Sequence, residues 1–147
     1  MMDASTLFNR AQAYVGMPYV PDDFVCADLA VQVQRELFGR VVAMPVHGQL
    51  PASVARAGSG AIKRLRDTLA DPVEQPATGD AAMLWTPEGT ETRMLQRWHV
   101  GTVIMHGGEI WVLHNSAATM GAALQRLADL KRQGLRLDGF YRWKDAA

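Results

Sequence analysis

Gly107-Gly108 divides two runs rich in β-branched and aromatic residues, Trp98 to His106 and Glu109 to Asn115. A two-residue glycine turn between such runs is the strongest short-range hairpin signal a sequence carries. The runs are therefore expected to pair as antiparallel strands, with a register that the turn itself fixes. His106 then faces Glu109, Met105 faces Ile110, and the pairing continues to Gly101 facing His114 and His99 facing Ser116. Side chains alternate across a strand, so His99, Gly101, Val103 and Met105 share a face with Ile110, Val112, His114 and Ser116. His99 and His114 become diagonal neighbours with Cβ atoms about 7 Å apart or less. Gly101 beside them leaves space unfilled, and His106 lies at the turn on the other face.

The remaining elements follow from periodicity and punctuation. Asp3 to Val15 reads as an amphipathic helix with Asp3 and Ser5 as N-cap candidates, stopped by Gly16. Gly16 to Asp23 is a turn-rich connection. A second helix from about Val25 to Phe38 places Cys26, Leu29, Val33 and Leu37 on one stripe, with Asp22 or Asp23 as a cap and Gly39 at its end. Val41 to Gln49 is an extended loop in which His47 is a surface residue. Pro51 to Ala57 and Ile62 to Leu69 read as helices, the latter ended by Asp71-Pro72 and Gln75-Pro76. Thr78-Gly79-Asp80 forms a turn before a short strand from Ala81 to Thr86. Pro87 to Arg97 reads as a polar surface loop. Ala117 to Gln133 carries Met120, Ala123, Leu124, Leu127 and Leu130 on a helical stripe closed by Gly134, and Leu135 to Trp143 is a last strand. Helices first, then an antiparallel sheet with one late helix, is an α+β order.

Composition narrows the function classes. At 147 residues and 48% hydrophobic content, residues 1–147 are expected to form one domain with a substantial core. Fifteen basic residues balance fifteen acidic ones, so nothing electrostatic favours nucleic acid or an anionic membrane. A single cysteine excludes an intramolecular disulfide. The start lacks the pattern of a signal peptide, and no apolar run of about 18 residues could insert in a bilayer.

Cys26 falls in the first turn of a helix. Unpaired N–H groups and the positive end of the helix dipole favour a thiolate there, lowering a thiol pKa from about 8.5 toward neutrality. A thiol so placed, with two histidines together on a sheet face, meets the needs of nucleophilic acyl transfer. Cys26 is then the nucleophile, His99 the base and His114 the orienting residue. Backbone N–H groups at the helix start are the candidate oxyanion donors. A competing reading, zinc held by Cys26, His99, His106 and His114, founders on the register, which puts His106 on the wrong face. No metal or other cofactor is therefore expected.

Several short motifs occur in a telling order: GMPYV at Gly16 to Val20, Cys26, TGDAAMLW at Thr78 to Trp85, HVGTVI at His99 to Ile104 and VLHNS at Val112 to Ser116. From Gly16 to about Trp143 the chain resembles the NlpC-type cysteine peptidases, papain-like enzymes of bacterial cell-wall turnover. The resemblance implies a papain-like fold with N-terminal helices packed on a small antiparallel sheet. It also implies hydrolysis of an amide bond in peptidoglycan stem peptides, commonly from D-glutamate to a diamino acid, by Cys26, His99 and His114. Tyr19 matches the family tyrosine that lines the site, and Tyr19, Asp28, Gly101 and Ser116 are expected on the substrate side.

The layout is most similar to short tail-associated members carried by phages and prophages. That implies synthesis in a bacterial cytoplasm without a signal peptide, phage tail proteins as partners, and a virion or periplasmic destination. The chain departs from the family at Val25, where members have an Asp that helps to recognise the substrate's free amine, and at Ala27-Asp28, where they have a small Ser-Gly pair. Asp28 also reads simply as a solvated or capping carboxylate. Two alternatives share the fold: a tail-tip assembly protein without turnover, and an amidase or transferase effector aimed at a rival cell.

Overall fold

The structure is a computed structural model that describes residues 2–21, 24–42, 66–90 and 93–144. Its elements run α1 (Ala4–Gln12), α2 (Cys26–Phe38), β1 (Ala70–Val73), β2 (Ala81–Thr90), β3 (Arg93–His106), β4 (Glu109–Ser116), β5 (Gly121–Arg126), α3 (Leu127–Arg132) and β6 (Arg136–Trp143). The strands form one six-stranded sheet in the order β1-β6-β2-β3-β4-β5, with every pairing antiparallel. The chain is thus α+β. Among the described residues, no helix is long and apolar enough to cross a membrane.

The glycine hairpin forms as its sequence demands. Gly107 and Gly108 take φ of 61° and 76°, the left-handed pair that matches the twist of the flanking strands. The register runs from His106↔Glu109 to Thr102↔Leu113 and stops there, so the expected pairs Gly101↔His114 and His99↔Ser116 do not form. Past Leu113, β4 continues instead against β5, ending with Ser116↔Gly121. A fork opens between β3 and β4.

Apolar alternation divides the sheet into two faces. Ile104, Leu113 and Ala122 meet Leu29, Val33 and Leu37 of α2 and Ala11 of α1, while Met83, Val100, Trp98 and Trp143 gather around the N-terminal end of α2. On the reverse face Ala82, Leu84, Val103 and Val112 pack on Leu127 and Leu130 of α3. Leu29 and Val33 are almost completely buried, each contributing about 2 kcal/mol from the apolar area removed from water.

Local capping explains the helix ends. Asp3 caps α1 by accepting the Thr6 N–H at 2.8 Å. Gly39 ends α2 in the left-handed conformation. The N-cap of α2 is Val25, whose own N–H is accepted by Asp28 at 2.8 Å. Asp22 and Asp23, expected as caps, lie outside the described residues, as do His47, the expected helix Pro51 to Ala57 and the first half of Ile62 to Leu69, whose second half, residues 66–69, is helical.

Three expectations change. Pro87 to Arg97 is not a loop: backbone pairing of β2 with β3 continues out to Thr90↔Arg93. Asp71-Pro72 belongs to strand β1 rather than to a helix stop, and its proline is tolerated because β1 is an edge strand. Ala117 to Gln133 is not one helix. Residues 117–120 form a turn, β5 follows, and only Leu127–Arg132 is helical. The 3.6-residue stripe is coincidental over its first half, where pairing with β4 buries Ala122 on the α2 face by a period of two.

Candidate active site

α2 brings its first residue against β3. Val103 donates its N–H to Asp80 and Met105 donates to Thr78, both on the β2 side of β3. Backbone N–H groups alternate sides along a strand. Val100 therefore points its N–H the other way, toward β4, beyond the last β3–β4 pair. That N–H is among the groups that favour the Cys26 thiolate, and Cys26 packs with Val100 in one buried cluster. The thiol therefore lies on the α2 face of β3, the face opposite the one that carries His99. The opposite prong is tied down too: Asn115 of β4, fully buried, donates to the Phe24 carbonyl at 3.2 Å, two residues before Cys26.

The imidazoles lie on the other face. His99 lies opposite Leu84 on β2, and His114 shares its face with Val112, both of which belong to the α3 side of the sheet. His99 Nε2 lies 2.8 Å from His114 Nδ1, the rings edge to face at 88°. His114 is almost completely buried, and its Nε2 lies 2.7 Å from Gln125 Oε1 on β5. The pairing of the two histidines expected from the hairpin is present. Gln125 escapes the sequence reasoning because its segment carries a helical stripe; its position two residues after Ala123, which pairs with His114, is the signal that a strand reading supplies.

Gly101 is not beside an empty space. A Cβ there would meet the Val112 side chain, the Leu113 carbonyl at 3.1 Å and His114 Cβ at 3.2 Å. Glycine is required so that β4 can bring His114 across to His99. Ser116 closes the turn into β5, with its hydroxyl 3.0 Å from that of Thr119. Asp28, the buried carboxylate on the Val25 N–H, acts as a helix cap. Tyr19 is half-buried on the segment between the Pro18↔Gly121 and Val20↔Phe24 bridges that leads into α2. His106 stacks on Phe8 at 4.0 Å on the α1 side, as its place in the register requires. Among the described residues, no group of three or more His, Cys, Asp or Glu side chains is arranged to hold a metal ion.

The electrostatics correct the expectation of a resting thiolate. Burial pushes the Cys26 thiol up to about 11 and Asp28 adds to the rise, outweighing the N–H groups of Val100, Ala27 and Cys26 that favour the anion. Burial also drives His99 down to about 3, with His114 and Arg97 contributing, and lowers His114 despite its bond to Gln125. The resting site therefore holds a neutral thiol and neutral imidazoles.

The Thr78-Gly79-Asp80 motif is structural. Asp80, nearly fully buried, accepts the Ala77 N–H at 2.8 Å and a two-pronged bond from Arg142 at 3.0 and 3.1 Å. Gln34 of α2 donates to the Gly79 carbonyl at 2.8 Å, so the same turn sets the height of α2 over the sheet. No family model, curated protein or solved structure matches the chain.

Proposed function

We propose that this protein is a cysteine peptidase of the NlpC type, with a papain-like fold, that hydrolyses an amide bond in peptidoglycan stem peptides. The observations that support the reading are a buried thiol at the start of α2, packed with Val100 of β3, and a hydrogen-bonded histidine pair that begins at the neighbouring residue, His99. In the reaction His99 takes the Cys26 proton as the sulfur attacks the substrate carbonyl. The backbone N–H groups of Cys26 and Ala27 at the start of α2, which favour negative charge on the sulfur, are candidate donors for the oxyanion. The imidazolium then protonates the leaving amine, and water, deprotonated by His99, releases the acid and restores the thiol. Because both partners are neutral at rest, proton transfer accompanies attack instead of preceding it.

The stem peptide, with its D-glutamyl link to a diamino acid, is the substrate by resemblance of the motifs around Gly16, Cys26, His99 and His114. With Val25 in place of the family aspartate, recognition of a free amine falls to other residues. Digestion of purified peptidoglycan with mass analysis of the products tests the reading. New amine and carboxyl termini in the stem peptide, absent with Cys26→Ala, support it; intact stem peptides at high enzyme concentration refute it.

A second reading, an assembly protein that keeps the fold without turnover, is favoured by one observation, the burial that holds the Cys26 thiol protonated. Binding to peptidoglycan or to tail proteins without cleavage is its expected result.

A further inference from the structure

We infer that Gln125 is a positioning residue that fixes the tautomers of both histidines and so selects the nitrogen of His99 left free to act as base. The inference rests on the peptidase reading for its catalytic consequence, but the tautomers themselves do not. An amide oxygen only accepts, so Gln125 Oε1 at 2.7 Å requires a proton on His114 Nε2. A neutral imidazole carries one N–H, which leaves His114 Nδ1 as an acceptor. The 2.8 Å contact from that atom to His99 Nε2 then requires the proton to sit on His99 Nε2. His99 Nδ1 is left bare. Without the amide, the opposite order of donors and acceptors becomes equally available, and it would place the proton on the nitrogen that must receive one.

The fold delivers the amide by strand alternation. β5 presents Gln125 to the His114 side of the sheet while Ala122 packs toward α2. A partner one ring removed from the reacting atoms acts by orienting that ring, and such outer partners are typically worth ten- to a hundredfold.

The test is nitrogen-15 NMR of histidine-labelled protein at neutral pH, which distinguishes Nδ1–H from Nε2–H rings. The wild type is expected to show Nε2–H for both His99 and His114. Gln125→Glu keeps an acceptor and retains that pattern, whereas Gln125→Leu loses it. In the peptidoglycan assay Gln125→Leu is expected to lower kcat about ten- to a hundredfold with KM little changed, and Gln125→Glu to recover most of the loss. An Nδ1–H ring at either histidine in the wild type overturns the inference, and so does an unchanged spectrum in Gln125→Leu. Should Gln125→Leu fail to fold, the wild-type spectrum decides alone. Absence of hydrolysis would remove the peptidase reading and leave the tautomer result standing.

Discussion

The two faces of β3 treat their polar groups in opposite ways. On the α2 face Cys26 sits among Ala27, Ala30, Met83, Trp98 and Val100, where backbone N–H groups favour negative charge on its sulfur. On the α3 face His99, His114 and Gln125 form a chain of side-chain hydrogen bonds. Burial neutralises both groups, but only the second face also gives its members fixed directions. On the proposed peptidase reading the thiol and its base, carried on opposite faces of β3, must meet at the fork past Thr102↔Leu113.

Removing a member from either face should break the comparison most severely. Cys26→Ala and His99→Ala are each expected to reduce peptidoglycan hydrolysis by about 10³-fold or more, since a nucleophile and its base act as a unit. Thermal melts should show Cys26→Ala costing no more than about 1–2 kcal/mol, the scale of a small core truncation. A larger stability loss with modest loss of turnover would make Cys26 a packing residue.

Gly101→Ala sharpens the comparison by pushing the faces apart without deleting a polar group. Its Cβ would press on Val112, on the Leu113 carbonyl and on His114 Cβ. Overpacking of this kind costs about 1–3 kcal/mol. Denaturant melts and turnover should fall together, since the shift needed to relieve the clash carries His114 away from His99.

The α3 face should also write itself into the pH dependence of stability. An unfolded imidazole titrates near 6.5, whereas in the fold His99 is held at about 3 and His114 is lowered as well. Between those values the unfolded chain binds protons that the folded chain refuses. Stability is therefore full above about pH 6.5 and falls as the pH drops toward 3. The loss attributable to the pair should be on the order of 1–3 kcal/mol, read from urea melts at pH 7.5 and 4.5, and His99→Gln should flatten the trend.

The smallest effect belongs to the histidine outside the comparison. His106→Ala forfeits a ring stack on Phe8, worth about 0.5–1.5 kcal/mol. Hydrolysis by this variant should match the wild type, and a loss as large as that of His99→Ala would dissolve the distinction between the faces.

The parts of the site that are legible in the sequence are those set by local chemistry. Gly107-Gly108 determines its own turn, and the turn determines which histidines share a face. Cys26 at the start of α2 follows from the stripe through Leu29, Val33 and Leu37. What is not legible depends on contacts distant in the chain. The β3–β4 pairing ends at Thr102↔Leu113, and no residue of the hairpin announces it. β5 hides in a segment whose apolar residues fit a helix equally well, because its strand character comes from β4 beside it. The thiol's preference for its proton arises from burial in the cluster with Met83 and Trp98, which only the fold assembles around it.

On the proposed reading, the thiol on one face and the imidazole on the other exchange a proton through the fork. The rate of Cys26 alkylation by iodoacetamide at pH 7 tests this without any assumption about substrate. The wild type should react at least about tenfold faster than His99→Ala, in keeping with general-base assistance, and His106→Ala should react like the wild type. Equal rates for the wild type and His99→Ala would show that the two groups do not communicate.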